Sequence, residues 1–216
     1  MAGLTGNIKR FLLPALLVGA IVISLLKPTT DSLSQIAQKI KNKLNDVELV
    51  FNEATKDTAL LSALANGHEG SPLIEKIEKQ GIDLFYYQND TLIHWTTKNI
   101  LPPANLTAIE TGTSFIKLRN GWYQMMKWHD SISRQTLLGL LPVKNQYPFE
   151  NKFLKNDFVL GLDVPHNIEI SEQKISGSIP IKNLKGKVLF REATVLCKSC
   201  GIALPEAFVR SLPTTK

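Results

Sequence analysis

The residues best suited to chemistry lie on one predicted strand, residues 122–129, whose side chains alternate in character. In an extended strand, Tyr123, Lys127 and His129 point to the same side. Arg134 and Tyr86, on neighbouring predicted strands, would add a guanidinium group and a second phenol. Aromatic walls with a few cationic groups are typical of a pocket for a small anionic ligand. The alternative is that one face of this strand is core and the other is an ordinary solvated surface.

Other reactive residue types occur without the spacing that catalysis or metal binding requires. His68, His94 and His166 are far apart in the sequence, and no Ser-His-Asp spacing, nucleophile elbow or phosphate-binding loop accompanies them. Cys197 and Cys200 form a lone C-x-x-C motif. A structural zinc site needs a second pair of ligands, and a redox site needs a strand-to-helix turn. The sequence therefore predicts no catalytic residue, no metal site and no cofactor.

Positive charge is concentrated at the two ends of the chain. The 216 residues carry 25 basic and 19 acidic side chains, yet residues 31–181 hold 15 basic and 17 acidic ones. A nucleic-acid-binding protein needs a basic face on its folded body to neutralise phosphates. Since this body has no excess of positive charge, we expect no nucleic-acid partner.

An uncharged apolar run extends from Phe11 to Leu26 and is flanked by basic residues. It is marginally long enough to cross a hydrocarbon core of about 30 Å, and it ends without the small residues of a signal-peptide cleavage site. We therefore expect a transmembrane helix over residues 11–27, with residues 1–10 as a cytoplasmic head. The expected location is the inner membrane, crossed once, with a periplasmic body. A cleaved signal peptide and a buried helix are the alternatives.

A helical period follows this run. Apolar or small residues recur every three or four positions from Leu33 to Ala65, which predicts one long amphipathic helix over residues 31–66 that stops at Gly67. Its spacing suits a dimeric coiled coil, so one expectation is a homodimer formed through this helix. The alternative is that the apolar stripe packs on a sheet of the same chain.

From residue 82 onward the hydrophobic period is two, which is typical of β-strands. A hairpin is predicted around Asn89 and Asp90, two residues that tolerate a tight turn. Phe149 and Phe153, four residues apart, favour a short helix over residues 148–157. The predicted strands cover residues 83–88, 91–97, 115–118, 122–129 and 135–143, with a last pair, 175–179 and 187–191, that closes the same sheet.

One stretch resembles a known family. Residues 137–158 read LLGLLPVKNQYPFENKFLKNDF, which is similar to a segment of Bacteroidetes-type membrane sensor histidine kinases. In that segment an apolar strand ending in Pro-Val/Ile-Lys leads into a Tyr-x-x-Glu-Asn-x-x-Leu helix. The matching positions here are Pro142, Val143, Lys144, Tyr147, Glu150, Asn151 and Leu154. The resemblance covers residues 8–192 and implies, for residues 31–192, an extracytoplasmic Cache or PAS-like sensor domain.

The predicted fold class is therefore α+β, with a transmembrane helix and a long juxtamembrane helix packed on a PAS/Cache-like antiparallel sheet. The resemblance implies the sensor module of a two-component signal transduction system, which detects an extracytoplasmic stimulus and transmits it through the membrane helix. A small-molecule ligand is one expected stimulus.

No kinase core is recognisable in this sequence, so the resemblance does not imply kinase activity for this chain. Residues 193–216 are predicted to be a disordered or non-native tail. The alternative function is a membrane-tethered adaptor or structural protein that binds a partner through its amphipathic helix. A secreted enzyme would need an active-site cluster, which the sequence does not offer.

Overall fold

In the computed structural model, which describes residues 32–67, 72–103, 105–174 and 176–194, three helices come before eight strands. The helices are α1 (Leu33–Ala54), α2 (Thr58–Ala65) and α3 (Pro72–Lys79). The strands are β1 (Asp83–Gln88), β2 (Thr91–Trp95), β3 (Gly112–Leu118), β4 (Gly121–Asp130), β5 (Gln135–Asn145), β6 (Ile168–Ser171), β7 (Ile179–Lys182) and β8 (Val188–Thr194).

The strands form two antiparallel sheets. The larger sheet has the order β2-β1-β5-β4-β3, and the smaller one has the order β6-β8-β7. The hairpin between β1 and β2 turns at Asn89 and Asp90, which have φ values of 50° and 61°. Two successive positive φ values give a turn whose twist matches that of the flanking strands, as the Asn-Asp pair predicts.

Helix α1 covers one face of the larger sheet. Its apolar stripe, at Ile36, Ile40, Leu44, Val47 and Phe51, is no more than 3% exposed. The helix and the sheet approach closely at Gly139 on β5, where an added Cβ would lie 2.8 Å from the Phe51 ring. The stripe therefore packs on a sheet of the same chain, which was one of the two interpretations of its period.

The opposite face of the larger sheet is covered as well. The connection between β2 and β3 lies over it and packs Ile100, Leu106 and Ile109 against a second apolar cluster. That cluster consists of Phe85, Tyr87, Tyr123, Met125, Leu138 and Leu140. The strand alternation predicted for β4 is thus observed, but its second face is not an ordinary solvated surface.

The predicted architecture is wrong in its transmembrane helix. Across residues 32–67, 72–103, 105–174 and 176–194, no helix combines the length and apolar character needed to cross a membrane. The segment on which the prediction was based, residues 11–27, and the predicted head, residues 1–10, lie outside the described residues. The predicted location, a single crossing of the inner membrane with a periplasmic body, depended on that helix. That prediction is therefore wrong as well.

The predicted architecture is also wrong in its long juxtamembrane helix over residues 31–66. The helical chain breaks after Ala54 and restarts at Thr58. Asp57 causes the restart, because its side chain accepts a hydrogen bond of 2.9 Å from the backbone N–H of Leu60 and caps α2. Two helices separated by a turn replace the single rod that the period predicted.

Two smaller predictions are corrected. Residues 148–157 form a loop instead of a helix. The side chains of Asn151 and Glu150 accept bonds from the backbone N–H groups of Leu154 and Asn156, which helical bonds would otherwise use. The last strand pair does not close the larger sheet. Strands β7 and β8 join β6 in a separate sheet, and β6 was not predicted.

Candidate ligand-binding site

A cavity of about 340 Å³ lies at the end of the larger sheet where two hairpin turns meet, on the face opposite α1. The turn between β1 and β2 and the turn between β4 and β5 are tied together. The backbone N–H of Asn89 donates to Arg134 O over 3.0 Å, and Gln88 Nε2 donates to Ser133 O over 2.8 Å. The lining residues are Asp90, Leu106, Thr107, Lys127, His129, Ser131, Arg134 and Thr136.

Lys127 joins the sheet to the connection that covers it. Its side chain is largely buried, and its Nζ donates to Leu106 O over 2.7 Å and to Ile109 O over 2.8 Å. An ammonium group has three donors, and these two bonds use two of them. Lys127 therefore fixes one wall of the cavity and contributes a positive charge to it.

His129 and Arg134 line the cavity beside Lys127. His129 Nδ1 lies 2.9 Å from the hydroxyl of Thr136, its partner in register on β5. Arg134 has a φ of 54° in the tight turn before β5. Asp130 stabilises the same turn, because the hydroxyl of Ser133 and the backbone N–H of Ile132 bond its carboxylate and lower its pKa.

The charges around the cavity fit a small anion. Lys127 and Arg134 supply two fixed positive charges, and Asp90 supplies one negative charge. A guanidinium can bind a carboxylate or phosphate with two parallel bonds, which an isolated ammonium does not do. This arrangement of charges is suited to holding and orienting a small anion.

The other two residues predicted for this site lie elsewhere. Tyr86 is fully buried on the α1 side of the sheet, and its hydroxyl is 3.0 Å from Gln88 Oε1. Tyr123 lies on the same face as Lys127 but is packed in the second apolar cluster. Burial raises the pKa of both phenols. The structure thus brings together Lys127, His129 and Arg134 and leaves both tyrosines outside the cavity lining.

Several lining residues were missed. Leu106 and Thr107 come from the irregular connection before β3, where no period indicates which side chains point inward. Thr136 could have been found from the strand register, because it lies opposite His129. The described residues contain no group of three or more His, Cys, Asp or Glu side chains that could hold a metal. Cys197 and Cys200 lie outside the described residues. The tail was predicted over residues 193–216; its first two residues belong to β8, and residues 195–216 lie outside the described residues.

Comparisons with known proteins identify no relative. No family model matches the chain, and neither a curated protein nor a solved structure matches it.

Proposed function

We propose that this chain is a sensor module of a two-component signal transduction system, the N-terminal part of a sensor histidine kinase, and that it detects a small anionic molecule. The observation that carries the proposal is the convergence of Lys127, His129 and Arg134 on one cavity. The resemblance of residues 137–158 to sensor histidine kinases supports the signalling role.

Lys127 suggests how binding is converted into a structural change. Its ammonium group holds the connection between β2 and β3 through Leu106 O and Ile109 O. An anion bound beside this ammonium competes with the two carbonyl oxygens for it. The ligand then has different affinities for the closed and the loosened connection, and a sensor can shift its conformation only through such a difference.

The adaptor alternative is less well supported. It requires the apolar stripe of the amphipathic helix to be available to a partner. In α1 the residues Ile36, Leu44 and Phe51 are at most 3% exposed, because they pack on the larger sheet and its neighbours. A homodimer through this helix remains a prediction and would need a different face of α1.

Calorimetric titration of the purified chain with inorganic phosphate, acetate and succinate tests the binding step. We expect at least one of these anions to bind, and Arg134→Gln to weaken that binding by about ten-fold or more, since a charge-assisted hydrogen bond contributes about 1.5–3 kcal/mol. Hydrogen exchange in residues 105–111 should increase when the anion is bound.

Arg119→Gln is the matched control, because Arg119 is an exposed arginine in the turn between β3 and β4. It should leave the anion affinity unchanged. If Arg119→Gln and Arg134→Gln weaken binding equally, or if none of the three anions binds, the proposed anion site is wrong.

A further inference from the structure

A groove lies along one edge of the larger sheet, beside β2. Strand β2 is the outermost strand on this side, and in the part of the chain that the structure describes no strand pairs with its outer side. The groove has a volume of about 520 Å³ and shares no lining residue with the candidate anion site. Its described lining residues are Gly67, Ile74, Glu78, Ile93, His94, Trp95, Thr96, Thr97 and Lys98.

One wall of the groove consists of consecutive residues, 93–98. His94 pairs in register with Tyr86, which belongs to the apolar cluster on the α1 side of the sheet. Trp95 pairs with Phe85, which belongs to the cluster on the opposite face. Neighbouring residues whose side chains point to opposite faces share only the backbone edge of the strand. The groove therefore lies along the backbone of β2 and of the residues that follow it.

The backbone of Trp95 faces this groove. The backbone N–H of Thr96 donates to Leu84 O on β1 over 3.1 Å, so Thr96 directs its backbone groups toward the sheet. In an antiparallel pair, residues that bond the neighbouring strand alternate with residues whose backbone groups point away from it. The N–H and C=O groups of Trp95 therefore point to the open edge, where they can bond another strand.

Helix α3 forms the opposite wall. It contributes Ile74 and Glu78, which lie one turn apart on the same side of the helix. The helix lies beside α1, because Lys76 Nζ on α3 is 3.0 Å from Glu53 Oε2 on α1. A groove between an edge strand and a helix is suited to an extended peptide, which adds to the strand through backbone hydrogen bonds and contacts the walls with its side chains.

The mixed lining of the groove matches a peptide in polarity and in charge. Ile93 and Trp95 are 40% and 49% exposed and offer apolar surface to side chains of an added strand. Glu78 and Lys98, both exposed, place one negative and one positive charge in the lining. A peptide with apolar residues in its centre and opposite charges at its two ends complements both features.

The size of the groove favours a short segment. A strand residue occupies about 160 Å³, given a rise of about 3.3 Å, a strand spacing of about 4.8 Å and a sheet spacing of about 10 Å. A volume of about 520 Å³ therefore holds about three residues. A stable dimer buries about 800 Å² on each partner, which is more than three extended residues provide. A short peptide segment thus fits this groove better than a second copy of the chain.

We propose that an extended segment of a partner protein binds in this groove as a sixth strand of the larger sheet, through hydrogen bonds to the backbone of Trp95. This interaction surface is separate from the anion site and does not depend on the signalling role proposed above. It gives the chain a protein partner, recognised by backbone pairing and by contact with the exposed side chains of the edge.

Calorimetric titration of the full chain with two blocked pentapeptides tests the proposal. The probes are acetyl-Glu-Val-Thr-Val-Lys-amide and acetyl-Lys-Val-Thr-Val-Glu-amide, which present the two charge orders to Glu78 and Lys98. We expect at least one probe to bind. N-methylation of its three central amides should weaken binding by about ten-fold or more, because it removes backbone donors and keeps the side chains. Binding of neither probe, or equal binding of the methylated form, overturns the proposal.

A pair of protein variants tests the contribution of the edge. Trp95→Ala should weaken binding of the peptide by about ten-fold, because the indole ring supplies much of the apolar contact. Phe149→Ala is the matched control, since Phe149 is another exposed aromatic residue, 64% exposed, and does not line the groove. It should leave the affinity unchanged. Equal affinities of the two variants for the peptide overturn the proposal.

Amide hydrogen exchange in the unsubstituted chain covers the case in which Trp95→Ala does not fold. The bound peptide should slow exchange of the Trp95 amide and leave exchange in β3, the strand at the other edge of the larger sheet, unchanged. An unchanged rate at Trp95 with saturating peptide overturns the proposal. Protection of this amide without peptide, in a chain that sediments as a dimer, also overturns it, because a second copy then occupies the edge.

Discussion

Gly121 shows how the absence of one side chain fixes the start of β4. A Cβ atom at this position would collide with Lys144 O on β5 and lie 3.0 Å from Asn145 Cα. Backbone atoms of a paired strand cannot rotate aside as a side chain does. Gly121→Ala should therefore lower the free energy of unfolding by about 3 kcal/mol or more, as measured by urea denaturation.

Gly161 is the matched control for this substitution. It also has a positive φ, 70°, but an added Cβ would have no neighbour within 4 Å. Gly161→Ala should lower the free energy of unfolding by only about 1–2 kcal/mol, which is the conformational strain of an alanine in the left-handed region. Equal losses for the two variants would contradict the explanation by collision.

For individual site residues, the sequence predicts only which side chains of one strand share a face of the sheet. Lys127 and His129 share a face of β4 because side chains alternate, and that rule needs no knowledge of neighbouring strands. The face on which Tyr86 lies depends on the register of β1 against β5, in which Tyr86 opposes Leu137. A shift of one residue in register reverses every side chain, and sequence alone does not fix it.

Asp57 determines where the helical chain divides, and its contribution can be measured. Its carboxylate accepts the hydrogen bond from Leu60 N that begins α2. Asp57→Ala should lower the free energy of unfolding by about 1 kcal/mol, the usual cost of losing an N-cap. The same substitution at exposed Asp46, within α1, should change it by less than about 0.5 kcal/mol. Comparable losses at both positions would contradict a capping role.

Whole elements were predictable where period and turn residues agree, as in β1, β2, β4 and β5. The helix predicted over residues 148–157 failed because its evidence was the spacing of Phe149 and Phe153. These side chains are 64% and 80% exposed, so no packing stabilises a helix there. The break before α2 was hidden because the apolar period continues across it.

Lys144 links the larger sheet to the smaller one. Its side chain is 5% exposed, and its Nζ donates to Ile168 O over 2.9 Å and lies 2.7 Å from Glu169 Oε2. Lys144→Met should lower the free energy of unfolding by about 2–4 kcal/mol, because it removes the buried ammonium group that bonds both Ile168 O and Glu169. Urea denaturation measures the loss, and hydrogen exchange should locate the greatest loosening in β6.

Lys187 provides the control for that loss. Its Nζ lies 4.0 Å from Glu110 Oε2, and both side chains are largely exposed. Exposed ion pairs contribute little, so Lys187→Met should change stability by less than about 1 kcal/mol. A loss equal to that of Lys144→Met would show that burial of the bonded ammonium is not what links the sheets.

At the scale of the whole molecule, α1 is the layer that both sheets share. Its apolar stripe packs on the larger sheet. Glu48, buried next to that stripe, accepts through Oε2 a bond of 3.2 Å from the backbone N–H of Leu184 beside β7. Glu192 on β8 is fully buried, and neither of its carboxylate oxygens has a partner among the described residues. Burial raises the pKa of Glu192 to about 7 from an ordinary value of 4.5.

This carboxyl group should make the stability of the whole fold depend on pH. Between about pH 4.5 and 7 the folded chain retains a proton at Glu192 that the unfolded chain releases, so the free energy of unfolding falls as pH rises, by about 3 kcal/mol in total. Glu192→Gln should remove this decrease in urea denaturation curves at pH 5 and pH 8. Glu110→Gln, at a largely exposed position, should retain it. A profile unchanged by Glu192→Gln would show that the carboxyl group is ionised in the folded protein.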